Sequence, residues 1–115
     1  MDLIEFYKNI NGNYEDAKNR LMTEELMLRF INKFADSDDM SLMKKSIDEE
    51  LWEDAFRYSH NLKGVSLNLG FTKLAQSACD LCETMRNGKP TKDNSQLLNI
   101  VISDYNTIID EIKKL

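Results

Sequence analysis

The chain has 115 residues, a formal net charge of −5, a single histidine, one proline and four glycines. That length bounds it to one domain, and so few breakers favour long helices. It has no lysine- or arginine-rich block to bind nucleic acid or an anionic membrane surface and no apolar run long enough to span a bilayer; its first residues lack the basic and apolar stretches of a secretory signal, so a cytoplasmic protein is expected.

Leu3 to Asn9 predicts a short leading helix, Asn11-Gly12-Asn13 a turn, and Tyr14 to Leu21 a second short helical piece. Residues 1–22 thus read as a helical extension ahead of a bundle over residues 23–115. Thr23 is placed as an N-cap, with Glu24 and Glu25 favourable in the first turn. Leu26, Met27, Phe30, Ile31 and Phe34 follow at helical spacing, Asp36 to Asp39 interrupts it, and Met40, Met43, Ile47 and Leu51 resume it. The pattern over 23–48 fits one kinked helix or two pieces.

A third arm runs from about Leu51 to Leu69, stopped by Gly70. The next helix, about Thr72 to Asn87, carries Leu74, Ala75, Ala78, Leu81, Cys82 and Met85 on one side, and Asn87-Gly88-Lys89-Pro90 ends it. A last helix, about Lys92 to Lys114, places Leu98, Val101, Tyr105, Ile108, Ile109, Ile112 and Leu115 on one stripe. Amphipathic helices joined by short turns, with no strand pattern, predict an all-α, antiparallel up-and-down four-helix bundle with the short extension in front.

Cys79-Asp80-Leu81-Cys82 has a spacing that can serve zinc or redox chemistry. Zinc sites usually take four ligands, and there is no second pair; a thioredoxin-type motif expects a preceding strand. The pair is therefore expected to pack as small apolar residues on a buried helix face, and no metal or other cofactor is expected.

The wheel of the third arm separates two arcs, at about 100° per residue. Ala55, Tyr58, Ser59, Leu62, Val65, Ser66 and Leu69 form the expected core stripe, with the serines small enough to admit a neighbouring helix. Phe56, His60, Lys63, Gly64 and Leu67 lie roughly opposite, so His60 is expected to be exposed. Taken singly, an exposed histidine or lysine on a helix is usually only solvated, and Phe56 and Leu67 could lie under the N-terminal helix. Together they place a nucleophile beside a cation within an apolar rim, and a mid-helix glycine, which costs about 1 kcal/mol relative to alanine, leaves bare backbone alongside. An exposed imidazole is mostly neutral at cytoplasmic pH and can attack phosphorus with a free lone pair. Phosphoryl transfer asks the protein chiefly for positioning and charge stabilisation. With no acidic cluster for magnesium and no phosphate-cradling loop, such a surface can only receive a phosphoryl group and hand it on.

His60-x-x-Lys63-Gly64-x-Ser66-x-x-Leu69-Gly70 resembles the signature of histidine-containing phosphotransfer (HPt) domains of multistep phosphorelays. Trp52, two turns before the histidine, is similar to that family's pattern, as are Leu74, Cys79, Leu81 and Glu83 with one residue inserted before the glutamate, Gly88, and the early Gly12 with Arg20-Leu21. Asp48, Glu49 and Glu50 match only loosely. The resemblance implies that His60 is the phosphoacceptor, Lys63 steadies the phosphoryl group, Gly64 lets a receiver domain approach, and Phe56, Leu67 and Asn68 contact that partner. It implies a monomeric phosphoryl carrier without turnover of its own, serving a receiver of a response regulator or hybrid histidine kinase. Leu67 is larger than the family's common residue there, and Ser59 stands for its common alanine. Two rival functions share these features: a helical adaptor that binds receivers without transfer, and the substrate domain of a chemotaxis-type histidine kinase.

Overall fold

The computed structural model describes residues 1–115. Helices start where side chains satisfy their free amides: Asp2, Asn13 and Thr23 accept from the backbone N–H of Glu5, Asp16 and Leu26 and open α1 (Leu3–Asn9), α2 (Tyr14–Leu21) and α3 (Glu24–Asp36). The arm over 23–48 divides in two, because Ser37 takes an extended conformation and its hydroxyl accepts from the Asp39 N–H at 3.2 Å; α4 then runs Asp39–Asp48. α5 (Trp52–Asn68), α6 (Thr72–Glu83) and α7 (Ser95–Ile112) complete an all-helical bundle.

α6 stops four residues short of the sequence expectation. The Thr84 hydroxyl donates to the Leu81 carbonyl at 2.6 Å, and the backbone N–H groups of Thr84, Met85 and Arg86 turn back to carbonyls three residues earlier. α7 begins at Ser95 rather than Lys92, since Asn94 is buried with its amide on the Thr84 hydroxyl and Asp93 accepts from the Ser95 N–H.

α1, α4 and α5 end alike, in a left-handed residue followed by a backbone bond that reaches five residues back: Asn11 (φ 54°), Glu50 (φ 57°) and Gly70 (φ 70°). The bonds run from the N–H of Gly12, Leu51 and Phe71 to the carbonyls of Tyr7, Ser46 and Ser66, each 2.8 Å. At Gly70 the requirement is double. A Cβ there would run into the Asn13 carbonyl and sit 3.0 Å from the Ala17 Cβ. Gly70→Ala is therefore expected to cost about 2 kcal/mol from the left-handed backbone alone, with more from the clash; urea unfolding measures it, and an unchanged midpoint would contradict the tight turn.

α5 lies between α4 and α6, α6 packs on α7, and α7 also meets α1 and α3. The first two helices share this core. Leu3, Phe6, Tyr7, Ile10 and Ala17 are buried in one continuous cluster with residues of every other helix. The Tyr7 hydroxyl donates to the Leu69 carbonyl at 2.6 Å, and the Asn13 N–H reaches the Gly70 carbonyl at 2.8 Å. Residues 1–22 thus brace the α5–α6 turn.

On α5 the core stripe holds for Ala55, Ser59, Leu62, Ser66 and Leu69, all buried, and Tyr58 is half-buried. Val65 departs from it and is 41 % exposed. It faces a cavity left where α3 stands off from α5. Phe30, expected in the core stripe of α3, is likewise exposed on the same cavity.

Candidate functional site

Small residues decide what surrounds His60. Ala55 and Ser59 on α5 and Ala75, Ala78 and Cys82 on α6 are all buried, and they let the two helices approach closely. Ser59 turns its hydroxyl onto the Phe56 carbonyl of its own helix at 2.9 Å, so it leaves no unpaired group in the contact. The Cys82 thiol lies 3.9 Å from that same carbonyl. The close approach carries the far end of α6 to the face of α5 that bears the histidine.

His60 is exposed on that face, its ring stacked on Phe56 with centroids 5.9 Å apart and planes inclined by 25°. The Arg86 guanidinium covers the Phe56 ring at 5.2 Å and forks onto the Glu83 carboxylate at 3.0 and 2.7 Å. That hydrogen-bonded pair holds the Glu83 carboxyl below the usual carboxylate range, with the positive charges of Arg86 and Lys63 acting in the same direction. Lys63 itself enters no ion pair. Beside it, a Cβ built on Gly64 would meet nothing within 4 Å, so the backbone there opens to solvent. Leu67, 46 % exposed, follows two turns after His60 on the same face.

Phe56, Lys63, Gly64 and Leu67 therefore stand around His60 as the wheel suggests. Asn68 is exposed too, but it borders the cavity between α3 and α5. Glu83 and Arg86 are the neighbours that sequence reasoning did not assign to this face. Their three-residue spacing across the end of α6 signals a local ion pair, but only the packing of α6 on α5 brings that pair to the histidine.

Chemically, the site offers a solvent-facing nitrogen nucleophile, one unpaired ammonium and a guanidinium already engaged. No three His, Cys, Asp or Glu side chains converge to hold a metal ion. Cys82 is buried, which pushes its thiol above the usual range and keeps it a packing residue; Cys79 is half-buried and also free. No helix is long and apolar enough to cross a membrane.

Comparison with protein families gives a match to the Hpt domain over residues 34–115, a span that holds the whole histidine face, both helices that build it and the turn between them. Comparisons with curated proteins and with solved structures give no match. The chain belongs to the Hpt domain family, the helical phosphotransfer modules of two-component phosphorelay signalling whose partners are receiver domains.

Proposed function

We propose that His60 accepts a phosphoryl group from the aspartyl-phosphate of one receiver domain and passes it to another. The observation that carries this reading is the exposed imidazole held by Phe56 between an unpaired ammonium and open backbone at Gly64. In the forward step a ring-nitrogen lone pair attacks phosphorus, an N–P bond forms, and the P–O bond to the receiver's aspartate breaks. The carboxylate leaves with the electron pair, and the proton stays on the other ring nitrogen. The return step reverses each event. The chain supplies an acceptor and its charge surroundings, the receiver supplies the rest, and nothing turns over until both partners have met His60.

Lys63 bears the charge role, since Arg86 is engaged with Glu83 and Phe56. Lys63→Ala is expected to slow transfer at least about tenfold while receiver binding stays within about threefold, because charge development in the transition state is where a positioned cation acts. Stopped transfer reactions with labelled receiver measure the rate. An unchanged rate removes Lys63 from the mechanism.

Gly64 bears the access role. Gly64→Ala meets no protein atom and improves helix propensity, so it should raise stability by up to about 1 kcal/mol. Gly64→Gln should keep that gain in part yet block docking, because its side chain fills the space beside the imidazole. A glutamine variant that binds and transfers normally would remove the access argument.

The function itself is tested by a chase. Labelled phosphoryl moves from a phosphorylated receiver to this chain, and a second, unlabelled receiver is then added. Label that passes through the chain to the second receiver supports the relay. Receiver binding without any label on the chain would make it an adaptor instead.

A further inference from the structure

One aromatic ring joins the histidine to a cation that the transfer step leaves unused. The His60 imidazole stacks on Phe56 with centroids 5.9 Å apart, and the Arg86 guanidinium lies 5.2 Å from the centre of the same ring. Arg86 stands on the turn just past the end of α6, and its fork onto Glu83 is the only ion pair that either residue makes. Both side chains are 50 % exposed, and a pair so open to water is weakly held. The Lys63 ammonium also draws the Glu83 carboxyl down, so the carboxylate lies within the field of both cations on this face.

In the unphosphorylated chain that carboxylate is the partner of Arg86. A phosphoryl group on His60 would bring up to about two negative charges and three acceptor oxygens beside the same ring. A guanidinium forks onto phosphoryl oxygens as it does onto a carboxylate, and the greater charge favours the exchange. The exchange breaks only a half-exposed surface pair, and the Phe56 ring gives the guanidinium an apolar platform in either arrangement.

We infer that Arg86 changes partners when His60 is phosphorylated, leaving Glu83 for the phosphoryl oxygens, and that Glu83, by competing for Arg86, limits how tightly the group is held. The inference rests on His60 as the phosphoacceptor. It adds a cation that acts on the loaded chain, where Lys63 acts during transfer. Glu83 is a positioning residue, since it works through Arg86.

The test loads the full chain with phosphoramidate, which needs no receiver. A His60 ring nitrogen attacks phosphorus, the P–N bond of the reagent breaks, and ammonia leaves with the electron pair. The Arg86 Nε–H resonance, identified by its loss in Arg86→Gln, is expected to move on loading and to stay in place in His60→Gln treated alike. Phosphorus NMR then follows the last ionisation of the phosphoryl group near neutral pH. A paired guanidinium favours the dianion, so Arg86→Gln should raise the group's proton affinity about threefold or more. Glu83→Gln should lower it about twofold in the parent chain and change it little once Arg86→Gln is present. An Arg86 resonance that ignores loading would overturn the inference, with no variant needed. So would a Glu83→Gln effect that is absent in the parent chain or undiminished without Arg86, because Glu83 would then not act through Arg86. If phosphoramidate left His60 unlabelled, the acceptor itself would fail and the relay reading with it. A labelled His60 beside an unmoved Arg86 would overturn this inference alone.

Discussion

Replacing His60 with glutamine is expected to abolish phosphorylation of the chain while leaving its helices in place. The chain has one histidine, so no second imidazole can take over. The side chain is exposed, and its chief partner is the Phe56 ring stacked beneath it. Surface substitutions of this kind usually change stability by less than about 0.5 kcal/mol. Glutamine keeps a polar end of similar reach but offers no nitrogen lone pair able to form an N–P bond. Transfer should fall to background, and the circular dichroism spectrum and urea midpoint should stay near those of the parent. Sustained histidine-type phosphorylation of the variant is impossible, so any acid-labile phosphoryl group still found on it would place the acceptor elsewhere. Retained binding to a phosphorylated receiver would show that docking and chemistry are separable on this face.

The largest effect on stability is expected at Phe71. This side chain is almost wholly buried where three parts of the molecule meet. Its ring lies 6.1 Å from Phe6 and 6.0 Å from Tyr7 in α1, and 5.1 Å from Phe34 in α3. It also follows directly on Gly70, so it fixes the α5–α6 turn to the N-terminal helices. Phe71→Ala removes the ring and leaves a cavity that neighbours on two different helices cannot close together. The expected cost is about 3–5 kcal/mol, a large part of a typical total of about 5–15 kcal/mol. The thermal midpoint should fall by roughly 10–20 °C. Phe71→Leu should recover much of the loss by refilling the space. A cost below about 1 kcal/mol would mean that residues 1–22 are held only loosely to the bundle.

Much of this architecture was legible in the chain because it is written in local signals. Thr23 caps α3 through a bond to the third residue on, as its type and position suggest. Gly70 stops α5 because only glycine takes its backbone without strain. The apolar side of α6, from Leu74 to Cys82, and Met85 just past its end are buried as the spacing implies. What stayed hidden depends on distances between helices. A wheel says which residues share a side, but it does not say whether a neighbour reaches them. Val65 sits on the core side of α5 and still faces open space, because α3 stands away from it. Arg86 and Glu83 come to His60 only because Ser59, Ala78 and Cys82 are small enough to draw α6 in. The late start of α7 turns on a bond between Thr84 and Asn94, ten residues apart, which no helical period encodes.

The most direct measurement is intact-mass analysis of the chain after mixing with a phosphorylated receiver domain, followed by site mapping at neutral to basic pH. A single added phosphoryl group on His60, lost on brief acid treatment, is the predicted result. A phosphoryl group mapped to any other residue, or none transferred from receivers that demonstrably bind, would contradict it.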